Sequence, residues 1–179
     1  METSKNLTFL RIANIIAYVM TVIVNSMSEI LPLNGITTAE ISDSYPTLIA
    51  PAGYVFSIWG VIYVLLGAFV IYQTLPSQKG KAFLNQIGYL FILGSTANIT
   101  WIFLWHFLQI ELSLVAMFIL LGTLIATYLK LGIGKSDVPF KEKFLVHLPF
   151  STYLGWITVA PIANVAATLV KNNWERLGL

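Results

Sequence analysis

Apolar residues fall in long runs separated by short polar stretches, and the lengths of those runs predict helices that cross a bilayer. A hydrocarbon core about 30 Å thick requires roughly 20 helical residues at about 1.5 Å rise each. Runs of that kind lie at about 7–27, 51–75, 82–107, 112–131 and 145–170. They predict an all-α fold, an integral membrane bundle of five transmembrane helices forming one domain over 1–179, because a chain crossing lipid must satisfy its backbone internally.

The runs are not uniformly apolar, and their polar positions are periodic. In the first, Arg11, Asn14, Tyr18 and Asn25 share one helical face, which predicts an inward stripe, with Arg11 near enough the end to snorkel to the headgroups. Asn14 interrupts the run and no clean small-x-small site follows Asn25, so a span is expected here and not a cleaved signal. In the second, Phe56, Trp59 and Tyr63 recur beside Gly60 and Gly67, placing aromatic bulk next to bare backbone. That surface suits other helices or a flat ligand.

The third run is the most polar, with Asn85, Gln86, Ser95, Thr96, Asn98 and Thr100, and it sets Asn98 one turn before Trp101. His106 closes it and is expected to be solvated or capping. The fourth reads as packing and lipid-facing, with Glu111 at its start complementing the helix dipole. In the fifth, Pro149, Tyr153, Trp156, Ala160 and Asn164 share one face, and Pro161 is expected to bend the helix. Trp174 in the tail is placed like an interfacial belt residue.

The connection from Ser28 to Ala50 is long, carries no Lys or Arg, and is broken by Pro32, Asn34-Gly35 and Pro46. Connections of that length are often lids; the alternative is a passive solvated loop. Counting Lys and Arg on alternate sides sets Lys5, Arg11, Lys79, Lys81, Lys130, Lys135, Lys141 and Lys143 against Lys171 and Arg176. The asymmetry predicts a cytoplasmic N-terminus, with the C-terminus and the long first loop outside.

Composition agrees with the pattern: 57% of the 179 residues are hydrophobic and 10% charged, at mean hydropathy +0.79, too few charges to coat a soluble domain. Absence of cysteine removes disulfides, thiolate nucleophiles and Cys-ligated metals. The formal charge of +2 and the lack of a basic run argue against nucleic acid as a partner. His106 and His147 stand isolated, without metal-ligand spacing, and LGIGKSD (131–137) lacks the spacing of a phosphate loop. No charged residue lies mid-span to relay protons. What remains is a set of intramembrane aromatics and amides: Trp59, Tyr63, Asn98, Trp101, Tyr153, Trp156 and Asn164. Aromatic walls with a few hydrogen-bonding groups suit a planar apolar small molecule, and they also pack helices without binding anything.

WGVIY (59–63), NITW (98–101) and YLGWITVAPIAN (153–164), in this order on the second, third and fifth runs, resemble the TspO family, the translocator or tryptophan-rich sensory proteins. They match that family's W-x-x-x-Y, N-x-x-W and Y-x-x-W-x-x-x-A-x-x-x-N. The chain departs from the pattern at PAGY (51–54), where the family has P-x-W-x-P-P, and at Trp105-His106, where two phenylalanines are usual. LVKNNWER (169–176) lacks the tyrosine of a sterol motif.

The resemblance implies a five-helix bundle, often dimeric, with a pocket open toward the first loop that binds porphyrins, lined by Trp59, Tyr63, Asn98, Trp101, Tyr153, Trp156 and Asn164. It implies a sensor, receptor or transport role, with a porphyrin as ligand and no resident cofactor or metal. Light-dependent porphyrin breakdown, with an indole as electron donor, is the enzymatic alternative. A structural or accessory subunit, or a small transporter, whose aromatics only pack helices is the other.

Overall fold

A computed structural model describes residues 2–31 and 33–174; Arg176, used in the charge count above, lies outside them. Among the described residues the chain is helical and no strand occurs. Five long helices dominate: α1 (Glu2–Ile30), α3 (Ile58–Thr74), α5 (Leu90–His106), α6 (Ile110–Leu131) and α8 (Leu148–Lys171). Short α2 (Thr38–Asp43), α4 (Ala82–Ile87) and α7 (Phe140–Glu142) lie between them.

The long helices form a closed ring in the order α1, α3, α8, α6, α5. α5 and α6 pack most extensively, while α3 meets both of its neighbours, α1 and α8, sparsely, so the ring has a loose seam on either side of α3. α1 turns Phe9, Ile12, Ile16, Met20, Ile23 and Met27 outward, as a lipid-facing helix should, and its polar stripe inward. Arg11 Nη2 donates to Gln78 O at 2.8 Å, Asn14 Nδ2 to Gln73 Oε1 at 3.0 Å, Tyr18 Oη to Tyr63 O at 3.0 Å, and Asn25 Nδ2 to Asn98 Oδ1 at 2.7 Å. Helices in lipid gain no hydrophobic drive toward one another, so such bonds and close packing hold the seam. Arg11 is thereby tied to a backbone carbonyl just past α3.

Four helical segments are long and apolar enough to cross a membrane: 6–35, 53–74, 110–131 and 140–171. The expected third run, 82–107, is split. Gly88 takes φ 51°, ψ −128°, a conformation open essentially to glycine, and separates α4 from α5. That leaves α5 with 17 residues, about 25 Å of helix, at the short end of spanning length.

Helix ends follow local chemistry. α6 stops at Gly132, whose left-handed φ of 62° lets the Ile133 N–H close onto Tyr128 O at 3.2 Å. Before α8, Pro149 has no N–H to return to Leu145 O. A π-helical turn over Lys143–His147 precedes it, in which the Leu148 N–H reaches Lys143 O. α8 then continues through Pro161 as one helix.

The first loop is structured. Thr37 and Glu40 form a reciprocal capping box at the start of α2: the Glu40 N–H donates to Thr37 Oγ1 at 3.3 Å and the Thr37 N–H to Glu40 Oε2 at 2.7 Å. Ile41 is 1% exposed, so α2 is seated in the core and not a passive solvated excursion.

Candidate functional site

At the end of the ring where α1 and α5 finish and α3 begins, the aromatic residues meet. Trp59, in the first turn of α3, is the hub. Its ring stacks on Tyr63, one turn on, at 5.7 Å between centroids and 18° between planes. It lies against Trp101 at 5.9 Å, and meets Tyr153 and Trp156 edge to face at 5.9 and 6.1 Å. Helical periodicity explains the convergence, because Tyr153 and Trp156 share a face of α8 while Trp101 projects from the facing turn of α5. The series continues outward through Trp105, stacked on Trp101 at 5.8 Å, and Phe56, edge-on to Trp156 at 6.3 Å. Edge-to-face and offset contacts at such distances contribute about 0.5–1.5 kcal/mol each beyond burial.

The two asparagines of the expected set join this cluster through hydrogen bonds. Asn98, fully buried, accepts from Asn25 Nδ2 and donates to Tyr153 Oη at 3.1 Å, linking α1, α5 and α8. Asn164 accepts from Trp101 Nε1 at 3.0 Å and exchanges bonds with Ser113 Oγ at 3.1 and 3.2 Å, linking α8, α5 and α6. Both amides are spent on neighbouring helices and not left open to a ligand. Two polar atoms of the cluster lack partners. Trp156 Nε1 has none, and Tyr63 Oη, beside the Asn98 amide, makes no hydrogen bond of acceptable geometry. A buried unpaired donor is costly; among the described residues Arg11 Nε, Asn14 Oδ1, Gln78 Oε1 and His106 Nε2 share that condition elsewhere in the bundle.

The cluster itself is nearly closed: the space among Trp59, Trp101, Trp105, Trp156 and Asn164 is only about 30 Å³. A larger cavity of about 430 Å³ opens beside it at the loose α1–α3 seam, under α2 and the Gly53–Ser57 turn. That volume falls within the roughly 300–1,000 Å³ of small-molecule sites. Of the seven expected residues only Trp59 and Tyr63 line it. Asn25 of the inward stripe and Gly60 beside the aromatics also line it, while Ser28 and Glu29 from the end of α1 and Tyr54 and Ser57 from the approach to α3 carried no site signal in the sequence. Gly60 differs from Gly67 in role, since a Cβ built on Gly60 meets nothing within 4 Å.

The loop is fastened over this end by bonds to backbone carbonyls. Trp105 Nε1 donates to Thr38 O at 3.3 Å, and Asn34 Nδ2 to His106 O at 3.1 Å. His106, expected to be solvated or capping, is fully buried beneath the loop, and its Nδ1 meets Ile102 O in the last turn of α5 at 2.9 Å. At the rim, Glu111 pairs with Lys171 at 2.8 Å. Among the described residues no group of His, Asp or Glu is arranged to hold a metal.

A family model described as TSPO-like protein matches residues 11–179. No curated protein and no solved structure matches the chain.

Proposed function

The chain belongs to the TSPO-like protein family, and from that premise we propose that it is a membrane receptor or carrier for a planar apolar molecule of the porphyrin type, bound in the cavity beneath the first loop. The observation that carries this reading is the double position of Trp59. One ring forms both the wall of the 430 Å³ cavity and the centre of the aromatic cluster, so a flat ligand entering at the α1–α3 seam would stack on a surface already fixed by Tyr63, Trp101 and Trp156. The Tyr63 hydroxyl, which makes no hydrogen bond of acceptable geometry within the protein, would supply one at that wall. The reading includes five crossings and a cytoplasmic N-terminus. Arg11, Lys79, Lys81, Lys130, Lys135, Lys141 and Lys143 gather at the end opposite the cavity, which supports that orientation.

The test is titration of the purified protein with protoporphyrin IX, followed by tryptophan quenching. Gly60→Leu, at a position where a Cβ meets nothing within 4 Å, projects bulk into the cavity and should abolish saturable quenching, while Trp59→Phe should weaken it several-fold. Unchanged affinity in both variants overturns the assignment of the site.

A structural role for the aromatics deeper in the cluster is favoured by their close packing. Under that reading Trp156→Phe lowers the melting temperature and leaves the porphyrin affinity unchanged.

A further inference from the structure

The fixed charge around the cavity is one-sided. Its wall combines the Glu29 carboxylate with the rings of Tyr54, Phe56, Trp59 and Tyr63, and holds no basic residue. From Ile12 to Gln78 the chain contains no Lys or Arg at all, so neither the loop nor the first turns of α3 can supply a cation. Among the described residues at this end of the bundle, Glu29, Glu40, Asp43 and Glu111 stand against Lys171, and Lys171 is committed to Glu111 at 2.8 Å and to Leu108 O at 3.0 Å. Glu29 makes no ion pair among the described residues. The nearest amide also offers an acceptor, because Asn25 Nδ2 is committed to Thr21 O and Asn98 Oδ1.

Carboxylate and aromatic faces together form a cation site. Ring quadrupoles present negative potential to a cation over the face, and the exposed Glu29 carboxylate at the mouth adds direct attraction. The same field repels an anion, and among the described residues no guanidinium or ammonium lines the cavity to neutralise a ligand carboxylate.

Resting on the reading that this cavity takes a ring-bearing ligand, we propose that it selects by charge: the preferred ligand is a planar apolar ring system carrying an ammonium or other cationic end, held by Glu29 and the faces of Trp59 and Tyr54, and dicarboxylate tetrapyrroles are disfavoured. Glu29 sets the charge preference, and the indole wall sets the preference for flat rings.

The experiment holds the macrocycle constant and changes only its charge. The full-length protein in phosphatidylcholine nanodiscs, which carry no net lipid charge, is titrated with protoporphyrin IX, its dimethyl ester, and its bis-amide with N,N-dimethylethylenediamine, which is cationic at neutral pH. The cationic form should bind about tenfold tighter than the dicarboxylate, with the ester between. Raising the salt should narrow the gap. Glu29→Gln should bring the three within about threefold of each other, while Asp137→Asn, in the loop after α6 at the opposite end of the bundle, should leave the order unchanged. Equal affinities, a preference for the dicarboxylate, or an order indifferent to Glu29→Gln overturns the charge selection and leaves the porphyrin site standing. Failure of all three ligands to bind saturably overturns both.

Discussion

The Tyr18 hydroxyl occupies the space a side chain on Gly67 would need. Its oxygen lies 2.5 Å from the position of a Cβ on that glycine while it donates to Tyr63 O at 3.0 Å. The contact packs α1 against α3, and it makes the sparse seam depend on a glycine and a phenol. Gly67→Ala is therefore expected to push the helices apart and destabilise by about 1–3 kcal/mol, read as a lower melting temperature in detergent. Adding Tyr18→Phe to Gly67→Ala should recover part of the loss, because it removes the colliding oxygen.

Asn98 ties three helices through one side chain. Asn98→Leu leaves Asn25 Nδ2 without its interhelical acceptor and the Tyr153 hydroxyl without its donor, and is expected to cost about 1–3 kcal/mol of thermal stability. The triple change Asn25→Leu, Asn98→Leu, Tyr153→Phe should be less damaging than Asn98→Leu alone, since an apolar contact replaces a broken network. A larger loss in the triple variant would show that the bonds are net stabilising beyond their mutual satisfaction.

Gly88 holds φ 51°, ψ −128° between α4 and α5. Gly88→Ala is expected to cost about 1–3 kcal/mol from backbone strain alone. The effect should appear in unfolding and not in ligand affinity, because the break lies at the end of α5 remote from Trp101.

The capping box on the first loop gives a pH dependence with a definite sign. Hydrogen bonds from the Thr37 backbone and hydroxyl hold the Glu40 carboxyl below its ordinary range. A folded-state value below the unfolded one means that the carboxylate stabilises α2 fully at pH above the unfolded value, and that this contribution is lost as pH falls through the folded value. Amide exchange at Thr37 and Glu40 should therefore be slow at neutral pH. Corrected for its intrinsic pH dependence, it should accelerate in the acid range below pH about 4. Glu40→Gln should flatten the profile.

Much of this architecture was legible in the chain because lipid imposes length and periodicity on whatever crosses it. Run lengths marked the four segments long enough to span, and the stripe of Arg11, Asn14, Tyr18 and Asn25 announced a face that had to find partners, as each residue does. Spacing of three and four likewise put Tyr153, Trp156 and Asn164 on one face of α8, which is all that a helix can say about itself. Which faces would meet was decided by packing between helices, whose geometry no single run encodes. Folding drew Trp101, Tyr153 and Trp156 into a closed cluster and spent Asn98 and Asn164 on other helices, because unpaired amides in an apolar interior are costly and neighbours satisfy them first. The open volume arose instead at the α1–α3 seam. There Gly60 leaves space and residues distant in sequence, Glu29 and Tyr54 among them, come together as one wall only once the ring has closed.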